Sequence, residues 1–393
     1  MTRKPGRWRR LPMALLGCVM LTIGPASCSS PGSPASAGTP TSTATAAKPL
    51  KIGIAYGDTL VWKDDQDLAA GLDDAVYTGA GWIRVDLAWS DIQPDSATGY
   101  AWQGFDRVVA AARRRGLQVL PTLGYVPQWA RRDSCASQDS CPPADPGLFA
   151  RFAAAAAQRY APQGVHTWQV WNEPNITIYW GPKADPAGYT RLLDAASKAL
   201  RGADPAAVVL MGGLAAVHTD PAKGWLSQND FLAAACKLGA TTMVNAISYH
   251  PYTYPYLPSA RTDFGTPWER ISSTKDSLVS VLSACGTPNL PIWLTETGAP
   301  TNGPGEAADS PNAASNPTHV TEALQAAIAA DAVPAAAADP HVAAVFWYTD
   351  RDTGQDADRA NNELFFGLRR HDGSPKPSLD AFKAAVKETN PRR

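Results

Sequence analysis

Charged residues make up only 18% of this 393-residue chain, and the signs balance, with 35 basic and 36 acidic side chains. Five of the basic ones, Arg3, Lys4, Arg7, Arg9 and Arg10, crowd into the first ten residues, which leaves the remainder mildly acidic. Nothing there forms the clustered basic face that a nucleic-acid partner requires. Cysteine is sparse, at six. The four beyond the first 28 residues (Cys135, Cys141, Cys236, Cys285) have no zinc spacing and no histidines beside them, so no metal or cofactor is expected. A membrane-spanning run is missing too. The apolar stretch over 11–25 falls short of the roughly 20 apolar residues that a transmembrane helix needs.

What that stretch does fit is an export signal. A basic start, a short apolar core and the small residues Ala26-Ser27-Cys28 give residues 1–28 the form of a secretory signal peptide. Two cysteines compete as lipidation sites. Cys18 has the better local residues but only about seven apolar residues before it, whereas a core of proper length precedes Cys28, the favoured site; simple cleavage and release is the alternative. Arg9-Arg10 is a poor twin-arginine signal. Residues 29–48 are almost wholly Ser, Gly, Pro, Ala and Thr, a composition that cannot bury enough apolar surface to offset its ordering entropy. They read as a flexible linker, and 49–393 as one folded domain. The expectation is an exported protein, released or held at the surface by a lipid, acting as a monomer. An exported chain with four remaining cysteines reads as two disulfides with three connectivities. Cys135 and Cys141 share a polar loop that one bond would close, and Cys236 and Cys285 end successive predicted helices that another would staple.

Within the folded part, β-branched apolar runs alternate with Ala-rich helical stretches. Strands are expected over 51–56, 82–89, 118–125, 166–171, 208–214, 246–250, 291–295 and 342–347. Helices are expected over 65–78, 105–115, 146–160, 186–202, 229–238, 269–285, 319–330 and 378–389. Eight such units point to an α/β fold, a single-domain (β/α)8 TIM barrel, with an open doubly wound sheet as the alternative. Barrel sites sit at the C-terminal strand ends. Glu173, in Trp171-Asn172-Glu173-Pro174-Asn175, follows strand four, and Glu296, in Trp293-Leu294-Thr295-Glu296-Thr297-Gly298, ends strand seven. Two carboxyl groups at one end of one sheet are what glycosidic bond cleavage requires.

These strings, with 83–94, 248–252, 346–348 and the C-terminal Phe366-Gly367-Leu368, resemble clan A, the 4/7 superfamily of retaining glycoside hydrolases. Within the clan the chain is most similar to family 39 and family 5 types, including bacterial exopolysaccharide endoglycosidases, over about 51–386. The resemblance implies a glycosidase acting on a polysaccharide or oligosaccharide, with Glu173 as general acid/base and Glu296 as nucleophile, roughly 5–5.5 Å apart. It implies that Arg84 keeps Glu296 ionised and that Asn172 binds the sugar 2-hydroxyl. One of Tyr252 and His250 is expected to donate to Glu296 or to hold Glu173; Tyr252 is favoured as the partner of Glu296 and His250 as a substrate contact, or the reverse, with a satisfied structural histidine as the alternative. Trp347 is the expected floor of the cleaved sugar's subsite. Trp129, Trp180 and Trp89 are read as stacking platforms or as core. Asp86 departs from the His or Asn that many relatives carry nearby. The acidic loop holding Asp350, Asp352, Asp356 and Asp358 lacks EF-hand spacing and reads as solvated, with a substrate contact from Asp350 as the alternative. Two other functions share these motifs: a tethered carbohydrate-binding protein without turnover, and a transglycosylase using the same intermediate.

Overall fold

The computed structural model describes residues 50–311 and 317–390. The export signal with Cys18 and Cys28, and the linker at 29–48, lie outside the described residues. Among those residues no helix is long and apolar enough to cross a membrane.

Eight parallel strands close into a barrel in sequence order. They are β1 (Lys51–Ala55), β2 (Trp82–Ala88), β3 (Gln118–Gly124), β4 (Thr167–Asn172), β5 (Val208–Ala215), β6 (Ala246–His250), β7 (Ile292–Thr297) and β8 (Val342–Tyr348). One long helix follows each strand: α1 (Asp65–Thr78), α2 (Gln103–Arg114), α3 (Pro146–Tyr160), α4 (Pro186–Ala203), α5 (Gln228–Lys237), α6 (Leu278–Ala284), α7 (Glu322–Ala338) and α8 (Pro377–Thr389). The expected (β/α)8 barrel is therefore the observed fold.

Local sequence sets where the helices begin. Asp145 and Asp185 each accept from a backbone N–H of the first turn, and each is followed by proline, whose fixed φ suits that turn. The one broken expectation is 269–285. A single turn, Glu269–Ser272, stops at the polar run before Ser277, whose hydroxyl accepts from Ser280 N and restarts the chain as α6. Conversely, α7 runs through Pro334 to Ala338, because Ala332, Val333 and Ala336 are buried. That burial outweighs the single backbone hydrogen bond lost at proline.

The hydrophobic core has two parts. The larger lies between strands and helices. The smaller plugs the barrel interior, where Ala55, Leu120, Leu210, Ala246, Trp293, Ala344 and Phe346 fill the lower layers. Above that apolar plug the inward positions turn polar: Arg84 and Asp86 on β2, Asn172 on β4, Ser248 and His250 on β6, and Thr295 on β7, all buried. Disulfides join Cys135 to Cys141 within one loop, and Cys236 at the end of α5 to Cys285 just past α6, with Cα separations of 5.5 and 6.1 Å. Both fit the positional pairing.

Candidate active site

The end of β4 is strained. Trp171 and Glu173 both have positive φ, 77° and 41°, at a cost of about 1–3 kcal/mol each. Packing holds the kink. Trp171 is buried against Phe149 and Trp180, and its indole N–H donates to the Tyr179 carbonyl at 3.0 Å. The Glu173 N–H donates to Gly213 O at 2.8 Å. Asn175 then clamps the following loop, donating to Ala215 O and Leu226 O and accepting from Ala215 N. The second asparagine of the motif is thus a structural tie. The kinked backbone delivers the Glu173 carboxyl into the barrel mouth.

Glu296 arrives from β7, whose register against β8 shifts between Leu294 and Thr297. Its Oε1 accepts from Arg84 at 2.5 Å and its Oε2 from the Tyr252 hydroxyl at 2.7 Å. The other arm of Arg84 donates to Asn172 Oδ1 at 2.7 Å, so one guanidinium ties β2, β4 and β7 together. Across the mouth, His250 Nδ1 lies 2.8 Å from Glu173 Oε1 and 3.7 Å from Glu296 Oε2. Its Nε2 lies 3.0 Å from the Thr295 hydroxyl.

The two carboxyls sit in opposed environments. Burial, reinforced by the Glu296 charge, outweighs the help of His250 and raises the Glu173 pKa. Burial also opposes ionisation of Glu296, but His250, Arg84 and the Tyr252 hydroxyl outweigh it and hold that pKa below the ordinary value. The ligand atoms of Glu173, His250 and Glu296 all lie within 4.8 Å of one another. By donor type the trio could hold a divalent cation. Arg84 and Tyr252, however, already bond to both oxygens of Glu296, and Arg84 brings compensating charge.

A barrel mouth with two neighbouring carboxyls, one pushed up in pKa and one held down, is suited to glycoside chemistry, and the family comparison agrees: Cellulase (glycosyl hydrolase family 5) matches residues 36–353. The chain belongs to glycosyl hydrolase family 5. Among solved structures, the enzyme resembles a family 39 glycoside hydrolase from Bacteroides cellulosilyticus WH2, at 23% identity and a TM-score of 0.64. That match covers 86% of this chain and 63% of the other, so the family 5 chain spans under two thirds of it. It also resembles a GH5_18 protein from Streptomyces cattleya solved with GlcNAc, at 20% identity and a TM-score of 0.65, covering 88% and 82% of the two chains. A family 39 β-xylosidase from Caulobacter crescentus gives 20% identity and a TM-score of 0.60, covering 86% and 72%. At these identities the likeness speaks to fold. Curated proteins give no match by sequence.

The structure of this glycosyl hydrolase gathers Arg84, Asn172, Glu173, His250, Tyr252 and Glu296 into one network, overturns one expectation beside it and selects among readings left open. Trp347 does not floor the site. It pairs in register with Ile54 while Tyr348 pairs with Ala55 of the interior plug, so Trp347 faces outward onto Phe382 of α8 and Tyr348 faces in. Trp180 is core, edge-on to Trp171 and Tyr189. Trp129 is a loop anchor: its indole N–H donates to Gln93 O at 2.7 Å, and its ring packs edge-on against the fully buried Trp89. His250 is wholly buried with both ring nitrogens engaged, so it positions Glu173 rather than touching substrate. The acidic loop after β8 is not solvated throughout, contrary to expectation, because Asp350 and Asp352 are buried. Asp350 turns to Lys63 at 3.7 Å, and Asp352 pairs with buried Lys376 at 2.8 Å.

Tyr125, Tyr179, Tyr348 and Glu363 escaped the sequence reading. Their charges or hydroxyls act on the site: Tyr179 feels Glu173 and Glu296, and Tyr252 feels Tyr348 and Glu363. Tyr125 donates to Asp86 at 3.2 Å. Aromatic side chains in irregular loops carry no periodic signal, and Tyr348 ends an all-apolar strand with no polar–apolar alternation.

Two glycines make room for the network. A Cβ on Gly212 would come within 2.8 Å of Val170 O, at the β4 kink. A Cβ on Gly213 would collide with the His250 ring. Gly213→Ala is therefore expected to push His250 off Glu173 and lower turnover about 10²-fold, as a displacement near 1 Å does. Turnover within a factor of two of wild type, with a crystal structure showing His250 in place, would reject this.

Proposed function

We propose that this family 5 enzyme is a retaining glycosidase that cleaves β-glycosidic bonds of a polysaccharide or oligosaccharide by double displacement. Glu173 protonates the departing sugar oxygen while the Glu296 carboxylate attacks the anomeric carbon, giving a covalent glycosyl ester. Glu173, now ionised, takes a proton from water, which attacks the same carbon and releases Glu296. Two inversions leave the anomeric configuration unchanged. The observation that carries the proposal is the pair of carboxyls whose oxygens approach within 4.8 Å, one raised and one lowered in pKa. Inverting enzymes need roughly 6.5–9.5 Å for a water between them. Asn172, its Oδ1 taken by Arg84, has its amide N–H group left to donate to the sugar 2-hydroxyl. Tyr348 and Tyr179 are the aromatic candidates for the sugar's surroundings. The two disulfides suit an oxidising compartment, in keeping with export and anchoring through Cys28.

Reducing-end release from a panel of envelope and plant glycans names the substrate, and proton NMR of the first-formed anomer tests the mechanism. A β-anomer appearing first supports retention, and an α-anomer overturns it. Binding without release would instead favour the non-catalytic carbohydrate-binding protein.

A further inference from the structure

On the β1–β2 side of the mouth stand three carboxylates that the double displacement does not use. Asp86, on β2 two residues past Arg84, is 9% exposed. Its Oδ2 accepts from Tyr125, while its Oδ1 is buried and has no hydrogen-bond partner among the described residues. Asp58, after β1, and Asp91, in the single turn Trp89–Ile92, lie close enough to add repulsion. Burial first, and then these like charges, push Asp86 up to about 6 and Asp91 up to about 7. The cation acting on Asp86 is Arg84, which is already spent on Glu296 and Asn172.

Asp58 also lines a hollow of about 510 Å³ that includes Trp62, Lys63, Asp64 and Asp67. Trp62, in the single turn Thr59–Trp62, is 54% exposed, the most exposed large hydrophobic of the described residues. Trp62 therefore adjoins Asp58, Asp64 and Asp67, and Asp58 lies within electrostatic reach of Asp86. Lys63 is the one cation in that lining, and it leans toward Asp350.

Deepening the glycosidase reading, on which it rests, we propose that this side of the cleft recognises a protonated amine, and that the substrate is a glycan carrying free amino groups on its hexosamine units. An ammonium beside Asp86 would offset negative charge gathered in a poorly solvated place. An adjoining ring and its ammonium would meet Trp62 and Asp58, combining stacking with cation–π attraction. An N-acetylated ring replaces the cation with a neutral amide and leaves Asp86 uncompensated. Sites built around a polar partner discriminate strongly against ligands that lack it.

The test is calorimetric binding of β-1,4-linked trimers of glucosamine, N-acetylglucosamine and glucose to the Glu173→Gln protein. Glutamine mimics the neutral, proton-donating form of the Glu173 carboxyl while suppressing turnover. The glucosamine trimer is expected to bind at least tenfold more tightly than the other two. Adding Asp86→Asn should erase that preference while the melting temperature stays within a few degrees. Equal binding of the three, no binding by any, or a preference unmoved by Asp86→Asn in a folded protein each overturns the amine proposal. Hydrolysis of an uncharged glycan that needs Glu173 and Glu296 but not Asp86 would leave the glycosidase reading standing without it. Hydrolysis indifferent to either glutamate would overturn that reading instead.

Discussion

Glu173→Ala is expected to slow hydrolysis of glycosides with poor leaving groups by about 10²–10⁴-fold, the usual worth of general acid–base catalysis. Aryl glycosides with acidic leaving groups should suffer much less in the first step, because they depart without a proton. The second step should then limit, since no base activates water. Azide needs no base, so it should restore turnover and release a β-glycosyl azide. Glu296→Ala should lose more, on every substrate, with no β-azide formed, because the covalent intermediate never arises. The wild-type pH profile should be bell-shaped. Its acid limb, from Glu296, lies below the ordinary carboxylate range, and its alkaline limb, from Glu173, above it. The alkaline limb should vanish in Glu173→Ala. A β-azide product from Glu296→Ala with none from Glu173→Ala would exchange the two roles. Full activity in either variant would remove the mechanism altogether.

How much of this was legible in the sequence depends on whether a residue's role is set by its own strand or by its neighbours. The strand ends fall within a residue or two of expectation, and Glu173 lies one residue past β4 as its motif indicated, because Thr167–Asn172 is buried throughout and ends at a kink. Arg84, inside β2, and Tyr252, two residues past β6, were anticipated through the family resemblance, and both meet Glu296. Trp347 failed for lack of parity information. Three successive aromatics, Phe346-Trp347-Tyr348, carry no polar–apolar alternation, and the register against β1 decides which faces the axis. His250 takes the other role weighed for it, holding Glu173, and the room its ring needs comes from Gly213 on the neighbouring strand, a contact no local pattern reports. The partnerless Oδ1 of Asp86 likewise emerges only once β1, β2 and β3 stand side by side.

Arg84→Met tests the same network through stability as well as rate. Arg84 is 1% exposed and bridges Glu296 and Asn172 through separate nitrogens. Methionine fills much of its volume but leaves Glu296 buried without its guanidinium partner, and breaking a buried pair in this way costs about 3–5 kcal/mol. Protonation of Glu296 limits that cost, which makes the effect depend on pH. In the wild type the Glu296 pKa is depressed in the fold, so its stabilisation is present above the ordinary value of 4.5 and is lost only as pH falls through the lower folded value. In Arg84→Met burial prevails and raises the folded pKa, so the sign reverses. The variant should be most stable in acid and lose melting temperature progressively from about pH 5 to 8, where the wild-type contribution from Glu296 is constant. Its acid limb of activity should move upward, and turnover should fall by at least about 10²-fold as the carboxylate becomes scarce and Asn172 swings free. Arg84→Lys should lie between, since an ammonium restores charge to Glu296 but cannot span to Asn172 as the two guanidinium nitrogens do. A melting-temperature profile for Arg84→Met parallel to wild type across that interval would show that Arg84 does not set the charge of Glu296.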